Sequence, residues 1–268
     1  MKFSIVLSTQ PASFSALAYK GDIEKNIDRI KELGYDGVEL AVRNPKELNI
    51  DYIQKLTTKN NLPVPAIGTG QAYGEEGLSF THPDPMIREK AIERIKEQVV
   101  FAKKLNALVI IGLIRGSVPK EGSAHEAEKL LIYALQECAS VDPDVKLAIE
   151  PINRYETNLL NTVEESLKLL DKIIKPNVGL LLDTFHMNIE EPVIRKSILM
   201  AKEKIFHFHV ADSNRCFAGA GHIDFKGVLN DLKDAGYNGY ISAEIMPYPD
   251  SDIAAQKNIE HFKKIITK

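Results

Sequence analysis

Cysteine is scarce in this sequence, with only Cys138 and Cys216 among 268 residues. Two thiols cannot build a disulfide framework and neither lies in a CxxC pattern, so thiol redox chemistry and thiolate metal sites are excluded. Reduced thiols in a cytoplasmic protein are the expectation. A basic excess is also missing: the net charge is -3 and the pI about 6.2. That balance does not attract nucleic acid or an anionic membrane, which leaves a small molecule as the expected partner. The longest apolar runs, such as Ala107 to Ile114, fall far short of the roughly 20 residues that span a bilayer. The opening MKFSIVLSTQ has no cleavage pattern behind it and reads as a first strand. Nucleotide signals fail as well. GTGQAYG places Tyr73 where GxGxxG needs its last glycine, and no GxxxxGK[ST] occurs.

What the sequence does have is a regular alternation. FSIVLS leads into DIEKNIDRIKELG, where Ile23, Ile27, Ile30 and Leu33 recur at helical spacing until Gly34. GVELAVR and PVPAIGTG precede further helical patterns, the longest running from Asp84 to Asn106 behind an Asp-Pro start. ALVIIGLI, KLAIEPIN, VGLLLDTF, IFHFHVAD and GYISAEIM complete eight strand and helix pairs. Several strands are continuously apolar, which indicates burial on both faces, as in a parallel sheet covered by helices. Eight units with no linker predict a single (β/α)8 barrel over residues 1–268 rather than an open doubly wound sheet.

In such a barrel, residues at the C-terminal ends of strands face the active site. Four consecutive apolar strands end in Glu150, Asp183, His209 and Glu244, spaced by about one β/α unit. Taken singly, an acid at a strand end is usually a helix N-cap or a loop ion pair. Three carboxylates converging on one rim, however, repel one another unless a cation compensates them. One divalent metal ion is therefore expected. Carboxylate and imidazole donors without thiolate suit Mn2+ first, with Co2+ and Mg2+ as alternatives to structural zinc. His207 shares a strand face with His209 and is read as a buried support rather than a fifth ligand.

These segments are recognisable. LLDTFHMNIEE from Leu181, IEPINRYETN from Ile149 and HFHVADSNR from His207 resemble the ketose 3-epimerases acting on D-tagatose and D-psicose, within the xylose-isomerase-like TIM barrels. The resemblance covers essentially the whole chain and implies that Glu150, Asp183, His209 and Glu244 bind the metal. It also implies that Glu156, His186 and Arg215 hold the substrate, and it suggests a homodimer or homotetramer. The expected reaction inverts the carbon beside the ketone of a keto sugar. Glu150 and Glu244, three strands apart, serve as general base and general acid through a metal-stabilised enediolate. Arg215 is expected to bridge substrate oxygen to Glu150 or Glu156.

Three rival functions differ in specific residues. An aldose-ketose isomerase of the xylose isomerase type would have lysine in EPKPN, where this chain has Ile152 in EPINR. An apurinic endonuclease needs more site histidines and a basic face. A non-catalytic sugar-binding protein would not need both glutamates. For the substrate, Arg115 ends the fourth apolar strand in GLIRGSVPKEG, where it could pair bidentately with a carboxylate. That makes a keto-sugar acid, such as a ketogluconate or ketouronate, an alternative to a neutral ketohexose or ketopentose.

Overall fold

A computed structural model describes residues 1–266. Nine parallel strands run in the order of the chain: β1 (Lys2–Ser8), β2 (Tyr19–Lys20), β3 (Gly37–Ala41), β4 (Ala66–Gly68), β5 (Leu108–Ile111), β6 (Leu147–Ile149), β7 (Val178–Asp183), β8 (Ile205–Val210) and β9 (Tyr240–Ala243). Pairing of β1 with β9, from Lys2 opposite Tyr240 to Ile5 opposite Ala243, closes eight of them into a barrel. The two-residue β2 lies outside the ring and pairs with the end of β1. The expected eight-stranded barrel is thus the observed one, with β2 as an addition that no apolar run announces.

The helices are α1 (Ile23–Leu33), α2 (Ile50–Lys59), α3 (Gly70–Gly74), α4 (Pro85–Leu105), α5 (Ala124–Ala139), α6 (Val163–Ile173), α7 (Thr184–Glu190), α8 (Ile194–Ala201), α9 (Phe225–Asp234) and α10 (Ser251–Ile266). Their ends follow from side-chain chemistry. Asp22 and Asp84 accept from backbone N–H groups in the first turns of α1 and α4, satisfying donors that have no partner within the helix. Ser123 with Glu126, and Thr162 with Glu165, form reciprocal capping boxes at α5 and α6. Gly34 ends α1 at φ 84°, a conformation that costs glycine little. GTGQAYG, which fails the nucleotide pattern, contains the one-turn α3.

The period of two along each strand divides the apolar residues between two layers. Phe3, Ile5 and Leu7 of β1, and Val38 and Leu40 of β3, join the main core between barrel and helices. Ala66, Ile110, Ala148 and Leu181 make a separate cluster within the ring. Glu39 lies between Val38 and Leu40 on the strand, so it points to the lumen, where it is 1 % exposed. A barrel whose interior is packed rather than hollow leaves its open end as the place for chemistry. No helix among the described residues is long and apolar enough to cross a membrane.

Candidate active site and metal centre

Four staves deliver the donors. Glu150 follows β6, Asp183 ends β7, His209 lies in β8 and Glu244 follows β9. One donor atom from each lies within 4.8 Å of the others. His209 Nδ1 is 3.9 Å from Glu150 Oε1, 3.9 Å from Asp183 Oδ2 and 4.0 Å from Glu244 Oε2. Donors about 2.1 Å from one shared ion would stand roughly 3–4.2 Å apart, so the separations match. Glu150 Oε1 and His209 Nδ1 are fully buried without a protein hydrogen-bond partner. Buried polar atoms are normally satisfied. A divalent cation would satisfy both, and this donor set fits one.

The ionisation of the group responds to the crowding of acids. Burial, then the nearby Glu244, pushes the Glu150 carboxyl up to about 8. Burial also raises Glu244, against the opposing pull of Arg215 and His209. Burial opposes charge on His209, yet the Glu39 carboxylate outweighs it and pushes the imidazole up to about 10. Asp183 resists its burial because Arg215 holds its carboxyl below the usual range. Asp183 Oδ1 also accepts from Phe185 N at 2.7 Å, capping α7. The helix cap thus uses Oδ1, while Oδ2 is the oxygen near His209 Nδ1.

Arg215, at φ 62° in the loop after β8, reaches the same acids. Its Nη1 donates to Asp183 Oδ2 at 2.6 Å and its Nη2 to Glu244 Oε2. Its hydrogen-bonded acids are thus Asp183 and Glu244 rather than Glu150 or Glu156. His186, on α7, places Nε2 3.7 Å from Glu150 Oε1. Asn153 settles the tautomer of that ring. Its amide nitrogen contacts His186 Nδ1 at 2.8 Å and donates to Glu156 Oε1 at 2.8 Å, while its Oδ1 accepts from Tyr155 N at 3.0 Å. The amide orientation is fixed by these partners, so His186 Nδ1 accepts and Nε2 carries the proton. Burial pushes the pKa of His186 down to about 3 and keeps the ring neutral.

These side chains line a cavity of about 350 Å3 at the mouth of the barrel. Glu150, Glu156, His186, His209, Arg215 and Glu244 all contribute to its wall, so the structure brings together every expected mouth residue except Asp183 and Arg115. Asp183 joins them through the ligand cluster. Arg115 does not. It is fully buried, with Nε and Nη2 on Leu159 O, Nη2 also on Leu160 O and Nη1 on Gly112 O. The expected contact with a substrate carboxylate is therefore corrected. Backbone carbonyls of two loops already use the guanidinium, and burial lowers its pKa to about 10.

Two residues escaped the sequence reading. Asn153 stands in IEPIN, three residues after Glu150. Glu39 accepts from His207 Nε2 at 2.8 Å and from His209 Nε2 at 3.0 Å. Its signal was a charge set between apolar residues in GVELAV. His207, 1 % exposed and bound to Glu39, has the supporting position expected of it.

The fold and these segments have known counterparts. Residues 27–265 match the model of the xylose isomerase-like TIM barrel family. The chain is 32 % identical over 243 residues to an L-ribulose 3-epimerase of Methylomonas sp. (strain DH-1), covering 85 % of this chain and 82 % of that protein. A ketose 3-epimerase of Arthrobacter globiformis is 28 % identical over 83 % of this chain and 77 % of its own length. The crystal structure of D-allulose 3-epimerase from Methylomonas sp. in complex with D-allulose superposes with a TM-score of 0.83 at 28 % identity, over 98 % of this chain and 97 % of that one. The chain belongs to the xylose isomerase-like TIM barrels, in the ketose 3-epimerase family.

Proposed function

We propose that residues 1–268 form one catalytic domain that inverts the carbon beside the ketone of a neutral keto sugar, with Glu150 and Glu244 as the two proton-transfer groups. The observation that carries this reading is the pair itself. A buried Glu150 and a part-buried Glu244, both with raised pKa values, enter one sugar-sized cavity from strands three steps apart on the rim. A carboxyl whose pKa approaches the working pH serves as acid or base with little loss in either direction. One glutamate removes the C–H proton next to the ketone, leaving an enediolate. The other returns a proton to the opposite face. Their roles exchange when the sugar reacts in reverse.

His186 Nε2–H is a neutral donor aimed into the cavity, suited to a substrate oxygen on which negative charge develops. Arg215 is fixed by Asp183 and Glu244 and offers its remaining face to a hydroxyl. Glu156, with its side chain 35 % exposed, is placed to accept from a more distal hydroxyl. A divalent ion held by Glu150, Asp183, His209 and Glu244 supplies Lewis acidity toward the ketone and compensates the acids. Oxygen and imidazole donors favour Mn2+ over ions that prefer sulfur.

With Arg115 committed to carbonyls, the argument for a keto-sugar acid has lost its support. Arg215, the only arginine or lysine among the cavity-lining residues described, is already paired with two carboxylates. Ile152 lines the cavity where a hydride-shifting isomerase of the xylose isomerase type would have lysine. Turnover of ketoses in D2O tests the reading. Epimerised product should carry solvent deuterium at the inverted carbon and EDTA should abolish the reaction. Inversion without deuterium would overturn it.

A further inference from the structure

The deepest polar cluster in the barrel lies on the inner side of the ligand group. Glu39 crosses the lumen from β3 to β8, where Oε2 accepts from His207 Nε2 at 2.8 Å. Both of its oxygens accept from His209 Nε2, at 3.0 and 3.1 Å. All three residues are 1 % exposed. Burying a charged trio is a poor way to stabilise a fold, since apolar residues of equal volume generally do as well or better. Its geometry has another consequence. With Nε2 engaged by Glu39, only Nδ1 of His209 is left to face the three carboxylates, and it has no other partner. The His207 ring packs edge-on against His209, centroids 5.3 Å apart, and restrains its plane.

We propose that Glu39, seconded by His207, is a positioning residue for the metal centre: it selects Nδ1 of His209 as the ligating nitrogen and makes that nitrogen a stronger donor. This rests on the metal-binding reading above. Glu39, His207 and His209 also form a group whose atoms could meet an ion. Glu39 Oε2 and His207 Nε2, however, stand 2.8 Å apart, a hydrogen-bond distance below the roughly 3 Å minimum between donors of one ion.

Calorimetric titration of the metal-free protein with Mn2+ tests this in wild type and Glu39→Gln. Gln keeps one acceptor but turns an NH2 group toward a ring N–H. The expected result is one ion per chain in both proteins, bound about 10–100-fold more weakly by the variant. KM for a ketose at saturating Mn2+ should stay within about twofold, because Glu39 acts on the ligand and not on the sugar. Affinity in Glu39→Gln within about threefold of wild type overturns the clamp while leaving the metal centre standing. Two ions per wild-type chain also overturn it. A wild-type chain that binds no ion removes the metal reading and the clamp together. Should the variant not fold, long-range 1H–15N spectra of the Zn2+-loaded wild type decide: the His209 proton belongs on Nε2, and a proton on Nδ1 refutes the proposal.

Discussion

Replacing Arg115 with methionine separates a structural guanidinium from a substrate-binding one. Methionine matches the stem but offers no side-chain donor, so Leu159 O loses its partner, while Gly112 O keeps the backbone N–H of residue 115 and Leu160 O keeps Ile152 N. A buried carbonyl left unsatisfied costs about 1–3 kcal/mol, and removing the buried charge returns part of the total. With one carbonyl orphaned, a net loss of about 1–3 kcal/mol follows. With roughly 2.1 cal/mol/K of unfolding entropy per residue over 268 residues, the melting temperature should fall by about 2–5 °C. Differential scanning calorimetry measures the shift. Initial rates at 25 °C should show KM for neutral ketoses and for ketoaldonates changed by no more than about threefold. An unchanged melting temperature together with a tenfold higher KM for the acid sugar would restore Arg115 to the substrate and refute its assignment as a staple between loops.

Glu150→Gln and Glu244→Gln should each reduce net epimerisation at least about 100-fold; full turnover by either variant in a coupled ketose assay contradicts a two-base reaction. Asn153→Asp gives His186 Nδ1 an acceptor instead of a donor and moves the proton away from Nε2. Steady-state kinetics should show kcat/KM lower by about 10–100-fold with Mn2+ affinity retained, and an unaltered kcat/KM would exclude the tautomer argument. Metal uptake must displace protons from Glu150, held up to about 8, and His209, held up to about 10. Apparent Mn2+ affinity should therefore rise from pH 6.5 to 8, with proton release visible in buffers of different ionisation enthalpy; a flat profile would argue against those ligands. In the metal-free protein both groups bind protons more tightly folded than unfolded. Their stabilisation is greatest at low pH and is lost as pH rises from 4.5 to about 8 for Glu150 and from 6.5 to about 10 for His209. Melting curves should show this decline across their shared span, and saturating Mn2+ should flatten it.

The barrel was legible because its strands are apolar on both faces and its helices carry their own stop signals, such as Gly34 and the Asp84-Pro85 start. The four candidate ligands were legible for a related reason: each ends an apolar run. Glu39 carries an equally plain charge but sits within its run, and nothing local says that it meets side chains 168 and 170 residues away. Arg115 was expected at a strand end, but β5 stops at Ile111 and Arg115 lies in the 3-10 turn Leu113–Arg115, its guanidinium turned to carbonyls 44 and 45 residues downstream. Position along a strand can be read from sequence. The direction a long flexible side chain takes depends on acceptors that only the folded chain brings near.

The β1–β9 seam bears on the order in which the molecule matures. Phe3 pairs with Ile241, and Glu244 follows directly on the strand that makes this join. Donors on β6, β7 and β8 belong to neighbouring hairpin-free repeats and can gather early, but the fourth arrives only when the two ends of the ring find each other. Contacts so distant in sequence form slowly, because loop closure must precede their reward. On the proposed ligand set, ion capture at full strength would follow ring closure, and a tightly held cation would certify that the ring has shut.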